Sequence, residues 1–211
     1  MKIAIIGATR GIGKELLLQS LTAGHEVTAL VRNTGAIQIS NSNLRVVKGD
    51  ILDIDTVTEA IKGQDGICVC VGIRPTRKPV TIFSEGIKVV IEAMHQGGNR
   101  QQKLIVITGI GAGDSRGHGG FLYDRIINPL LLAKAYQDKD REETLIKQSD
   151  VQWQIVRPGF LTNDPKTGTY RIIDDMNGVT AGKISRADVA DYMLRQLKNP
   201  THFGKTPLIT Y

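Results

Sequence analysis

Residues 1–14 read Met1-Lys2-Ile3-Ala4-Ile5-Ile6-Gly7-Ala8-Thr9-Arg10-Gly11-Ile12-Gly13-Lys14, and their order decides the fold. Ile3 to Ile6 is a continuous apolar run of the length expected for a strand buried on both faces. Helical periodicity begins at Ile12, so Gly7 to Gly13 has to turn a strand directly into a helix. Glycines there leave backbone N–H groups bare and allow close approach, and the helix N-terminus adds positive partial charge. That combination suits a pyrophosphate, and Gly7, Thr9, Arg10, Gly11, Ile12 and Gly13 are the expected contacts. A plain strand-to-helix turn is the competing reading; its place right after the first strand and before an amphipathic helix favours the ligand.

Glu26 to Val31 is a second β-branched run and ends in Arg32-Asn33. An acid at this place accepts hydrogen bonds from the ribose of a dinucleotide that lacks a 2′-phosphate. Arg32 stands there instead, and a guanidinium binds a phosphate through a charge-assisted fork that a carboxylate would repel. With Arg10 beside it, the expected cofactor is NADP(H) rather than NAD(H); a merely solvated Arg32 is the alternative.

Strands then alternate with helices: Leu44 to Gly49, a helix over Asp55 to Lys62, Gly66 to Val71, a helix over Ile82 to Gln96 stopped by Gly97-Gly98, and Lys103 to Ile107. Repeated βαβ units are right-handed and build a parallel sheet whose ligands lie at the C-terminal strand ends. Those ends hold Asp50-Ile51, Val71-Gly72 and Thr108-Gly109. Thr108 bonds a ribose or substrate there, or makes a structural strand-end bond. Asp50 is also placed to cap the following helix. The half-glycine stretch from Gly109 to Gly120 reads as a mobile substrate lid, with a solvated connector as the plainer option. Helical periodicity resumes over Phe121 to Ala135, and Asp138 to Gln148 reads as a charged, exposed helix. Gln152 to Val156 is a sixth strand, after which Pro158 and Gly159 turn the backbone toward a ligand, and Phe160 and Leu161 offer apolar surface or core packing. Thr169 to Asp174 reads as a short strand, Ser185 as the N-cap of a helix with Asp188 in capping-box position, and Pro207 to Tyr211 as the final strand.

The expected fold class is α/β: a single Rossmann-like doubly wound parallel sheet flanked by helices, with a small C-terminal extension on the substrate side, residues 1–211 forming one NAD(P)-binding domain. With 27 Lys and Arg against 21 Asp and Glu the net charge is +6, which suits an anionic ligand. The basic residues form no run and are not interleaved with aromatics, so no nucleic-acid partner is expected. No stretch is long and apolar enough for a membrane span and no signal-peptide pattern opens the chain, which predicts a cytoplasmic protein. Cys68 and Cys70 share one strand face as small core residues, and the four histidines are scattered, so no metal is expected.

Taken together, Gly7 to Gly13, Leu30-Val31-Arg32, Gly49-Asp50, Ile107-Thr108, Val156-Arg157-Pro158-Gly159, Thr167 to Tyr170 and Ile184 to Asp188 are similar to the atypical short-chain dehydrogenases/reductases, the group that includes flavin reductase/biliverdin-IXβ reductase. The resemblance implies that Asp50 meets the adenine amino group while Ile51 packs on its ring. It implies an NADPH-dependent oxidoreductase that passes hydride to a planar conjugated small molecule, a bilin (biliverdin, a tetrapyrrole) or a flavin, and a monomer or weak homodimer. Gly109 and Phe160, expected on the substrate side with Leu161, stand where that pattern has a serine and a histidine. A tyrosine with a lysine four residues later is also missing, since Ile127 follows Tyr123 and Asp140 follows Tyr136 at that spacing. Solvent is then the expected proton source, with Thr108 the remaining catalytic candidate and Lys134 a possible ribose contact. A non-catalytic NADP(H)-sensing or scaffold protein is the alternative.

Overall fold

The computed structural model describes residues 1–97, 101–121 and 123–211, and for residues 123 and 127–129 the backbone alone. In chain order the strands and α-helices are β1 (Lys2–Ile6), α1 (Gly11–Thr22), β2 (Glu26–Val31), β3 (Leu44–Lys48), α2 (Ile54–Ile61), β4 (Gly66–Val69), α3 (Ile82–Gln96), β5 (Lys103–Ile107), α4 (Ala133–Gln148), β6 (Gln152–Pro158), β7 (Phe160–Thr162), β8 (Arg171–Ile173), β9 (Lys183–Ser185), α5 (Arg186–Lys198) and β10 (Leu208–Thr210). A π-helix over Tyr123–Leu132 leads into α4.

The apolar run of β1 is buried on both faces because alternate side chains enter different cores. Ile3 and Ile5 pack with Leu16 and Leu17 of α1 and Val189 and Met193 of α5. Ala4 and Ile6 pack with Val57 of α2, Ile87 and Val90 of α3 and Ile146 of α4. Each fully buried side chain of this size contributes about 1.5–3 kcal/mol, so the period of two in the strands is what holds helices to both faces. The sheet has eight strands in the order β3-β2-β1-β4-β5-β6-β10-β8, mostly parallel, with β8 antiparallel to β10. The order reverses between β1 and β4, the switch point where open α/β sheets leave a crevice. A small parallel pair, β7 with β9, stands apart on the C-terminal side.

Several expectations need correcting. The helix after β3 is capped by Asp53, whose side chain accepts from Asp55 N at 3.1 Å; Asp50 instead accepts from Leu52 N, closing the turn before it. The charged helix is not an exposed one: Asp138, Lys139, Glu142 and Glu143 of α4 are all buried. Asp138 accepts from Phe83 N at 2.8 Å and Ser84 Oγ at 2.5 Å, so it caps the start of α3 from another helix. The glycine-rich stretch is not a free loop either. Ile110, Ala112 and Ser115 are buried, Ile110 N donates to Pro158 O, Gly113 N donates to Asp140 Oδ1 and the His118 carbonyl accepts from Ala181 N. Gly97 is the C-cap of α3, and Gly98 of the expected stop lies outside the described residues. The expected cap of α5 is present: Ser185 Oγ accepts from Asp188 N at 2.9 Å.

Candidate functional site

Gly7 takes φ +94°, and a β-carbon on it would stand 2.8 Å from the Cys70 carbonyl oxygen. A β-carbon on Gly13 would stand 2.2 Å from the Gly7 carbonyl oxygen. Gly7 is therefore required for the turn to pass the end of β4, and Gly13 for α1 to close on the turn. Arg10 takes the N-cap position of α1 without a side-chain cap bond, and the first turn carries no acid. The N–H groups that open this helix thus keep their capacity for an anion, with the dipole favouring one.

Beside this turn lies a cleft of about 520 Å³ at the ends of β1, β2, β3 and β4. It gathers Gly7, Thr9, Arg10, Arg32, Asp50, Ile51, Val71 and Gly72 from the sequence-based set. It also takes in residues that sequence reasoning missed: Asn33, Ala36, Cys70, Ile73, Arg74 and Ile82. Arg74 lies five residues past the end of β4, whereas Arg32 directly follows β2, so the approach of Arg74 to the cleft carries no comparable local signal. Arg10 Nη2 donates to the Gly72 carbonyl at 3.1 Å, joining the glycine turn to the end of β4. Arg32 and Arg74 are exposed and have no ion-pair partner among the described residues. Asp50 is the single acid in the lining, so the cleft is net positive. Gly11 and Gly13 begin α1 at its margin, while Ile12 is buried in the core. Cys70 lines the cleft rather than the core alone, and burial pushes its thiol up to about 12, against the opposing pull of Lys139. It stays protonated and unreactive near neutral pH.

The β5 and β6 ends are built differently. Thr108 is buried, and its hydroxyl donates to Glu143 Oε1 at 2.9 Å. Glu143 also accepts from Arg157 Nε at 3.0 Å and Nη2 at 2.6 Å, a buried two-point pair. Burial pushes the Glu143 carboxyl up, but the Arg157 hydrogen bonds and charge outweigh it and hold the group below the usual carboxylate range. Arg157 Nη1 reaches Asp114 in the glycine-rich stretch at 2.5 Å, and a β-carbon on Gly113 would stand 2.5 Å from Arg157 Nη2. One guanidinium therefore fixes β6, α4 and that stretch together.

Lys139, not the exposed Lys134, is the lysine brought to the strand ends: its Nζ donates to Ile107 O at 3.0 Å, sits 4.0 Å over the Phe83 ring and faces Glu142 at 3.4 Å. Burial raises the Glu142 carboxyl to about 7 against the pull of Lys139. A β-carbon on Gly109 would lie 3.0 Å from the Tyr136 hydroxyl. Tyr136 and Lys139 are three apart on α4, a spacing that shares a helix face as the four-residue spacing does. Pro158 ends β6, and Gly159 is required by close passage of β9, since its β-carbon would meet the Gly182 carbonyl at 2.3 Å. Phe160 packs with Ile110, Met176 and Leu208, whereas Leu161 is exposed.

A model of the NAD(P)H-binding family matches residues 7–200, the stretch from the first glycine to the end of α5. The chain belongs to this family. As a family member it has an uncharacterized chloroplastic relative in Arabidopsis thaliana, 28% identical over 207 residues, covering 93% of this chain and 71% of the relative. Among solved structures, ChuY, an anaerobilin reductase of Escherichia coli O157:H7, superimposes with a TM-score of 0.83 at 21% identity over 100% of this chain and 97% of that one. A short-chain dehydrogenase/reductase of Veillonella parvula in complex with NADP gives 0.80 at 16% identity, covering 100% and 94%. At these identities the two structures establish the shared fold. The family's NAD(P)H binding agrees with the glycine turn's chemistry, since the uncapped α1 beside a positive cleft fits a dinucleotide diphosphate. Among the described residues no helix is long and apolar enough to cross a membrane.

Proposed function

We propose that this member of the family is an NADPH-dependent reductase of a planar conjugated small molecule, a bilin or a flavin. The observation that carries the reading is the charge of the cleft: Arg10, Arg32 and Arg74 line it against Asp50 alone. Arg32, with Asn33 at the end of β2, would hold the 2′-phosphate. Asp50 and Ile51 would hold the adenine, Val71 and Gly72 the adjoining ribose, and the first turn of α1 the diphosphate. When bound, the nicotinamide supplies hydride. The chain's part is then to hold the acceptor flat against it and to exclude water, with Pro158 and Gly159 at the cofactor and Gly109, Phe160 and Leu161 toward the substrate.

Proton delivery separates acceptor classes. Thr108 commits its hydroxyl hydrogen to Glu143, and the Lys139 ammonium is held by Ile107 O and Glu142. A simple ketone needs a proton at oxygen as hydride arrives, whereas a bilin or flavin spreads the new charge over a wide π system and takes its proton from water. The likeness of fold to ChuY supports a bilin in particular. Mixing the protein with NADPH and either biliverdin or FMN, and following the NADPH absorbance band, tests the assignment; turnover of one of them is expected, and none with either removes it. Tyr136→Phe then tests the proton source: kcat within about threefold of the parent agrees with solvent, and a loss of about a hundredfold or more assigns the proton to Tyr136.

A further inference from the structure

Arg186, the first residue of α5, stands over the glycine turn although it lies far along the chain. A β-carbon on Gly11 would be 3.8 Å from Arg186 Nε and 3.9 Å from its Cδ, with nothing else so near. Its Nη1 donates to the Thr162 carbonyl at 3.0 Å and to Asn163 Oδ1 at 2.8 Å, both neutral acceptors. Among the described residues no carboxylate pairs with it. A guanidinium is thus held beside the positive end of α1, whose first turn has no acid and no side-chain cap. Two like charges so placed repel unless an anion comes between them. Arg186 also borders a groove of about 340 Å³ with Glu15, Gln19 and Asp164, none of whose carboxylates pairs with it.

We propose that Arg186 is a positioning residue for the cofactor's diphosphate, closing over it from the α5 side while the α1 N–H groups hold it from below. Because the same guanidinium grips Thr162 and Asn163, diphosphate binding also fixes the segment that follows β7, next to Phe160 and Leu161. The role rests on the family's NAD(P)H binding and not on the choice of substrate. It differs from that of Arg32, which would contact a phosphate that only NADPH carries.

Calorimetric titration with NADPH, NADH and adenosine 2′-phosphate separates the two. Arg186→Met is expected to weaken NADPH and NADH alike, by about tenfold, and to leave adenosine 2′-phosphate within about twofold, since that ligand has no diphosphate. Unchanged binding of both dinucleotides would overturn the proposal, as would a loss confined to NADPH. Should Arg186→Met also lose adenosine 2′-phosphate, Arg186→Lys decides: dinucleotide affinity recovered to within about threefold supports a charge acting on the diphosphate, and no recovery shows a tether of the 162–163 segment only and overturns it.

Discussion

At the ends of β1 to β4, Arg10, Arg32 and Arg74 face an open cleft with no ion-pair partner among the described residues, whereas at the ends of β5 and β6 Arg157, Glu143, Lys139 and Glu142 are buried and answer one another. Both sets sit on the same rim of one sheet. The first leaves its charge for a ligand to neutralise; the second uses its charge to hold three segments in register. A mutation in the second should therefore cost stability, and a mutation in the first should cost affinity with little change in stability.

Glu143→Gln is the sharpest challenge to the buried side. It leaves Arg157 with Asp114 alone as a charged partner and removes a charged acceptor from Thr108. Breaking a buried pair in this way costs about 3 kcal/mol or more. Chemical denaturation should show that loss, and a change below about 0.5 kcal/mol would mean that the pair holds nothing together. Arg32→Asp is the matching challenge to the open side. NADPH affinity should fall by about thirtyfold, NADH affinity should change by less than about threefold, and stability should stay within about 0.5 kcal/mol. Equal losses for both dinucleotides would break the comparison.

pH separates the two carboxyl groups that adjoin on α4. Glu143 and Asp114 are held below their ordinary values by Arg157, so the stability they contribute is present above about pH 4.5 and is lost as pH falls through their folded values. Glu142 has the opposite sign: its folded value near 7 exceeds the ordinary 4.5, so the folded state prefers its proton and stability declines as pH rises between those values. Thermal unfolding should show both limbs, and Glu142→Gln should flatten the upper one alone. An unchanged upper limb in that variant would assign the decline to another group.

How much of this was legible in the sequence follows the same division. The β1–glycine–α1 turn, the place of Arg32 and the Ser185 cap were readable because the physics that makes them is local: a run of four apolar residues, a missing acid, an N-cap serine. Asp188 does not close the expected capping box, for Ser185 N donates to the Tyr211 hydroxyl and Asp188 accepts from Thr167 N, Gly168 N and that hydroxyl. The burial of α4 was not, because its partners come from elsewhere in the chain, Ser84 and Phe83 from α3, Thr108 from the end of β5 and Arg157 from β6. A charged helix looks the same in sequence whether water or another helix answers it. Tyr136 beside Gly109 was hidden for a related reason, since only the packing of α4 against the end of β5 brings its hydroxyl there. Arg74 lies in the segment after β4, and only the pairing of β4 with β1 brings that segment to the same cleft.

The most direct test of the account is a side-by-side titration of the unaltered protein with NADPH and NADH at low salt. An open cleft with three arginines against one aspartate predicts NADPH tighter by at least about tenfold, with the gap narrowing as ionic strength rises. Equal affinity for the two at every salt concentration would contradict it.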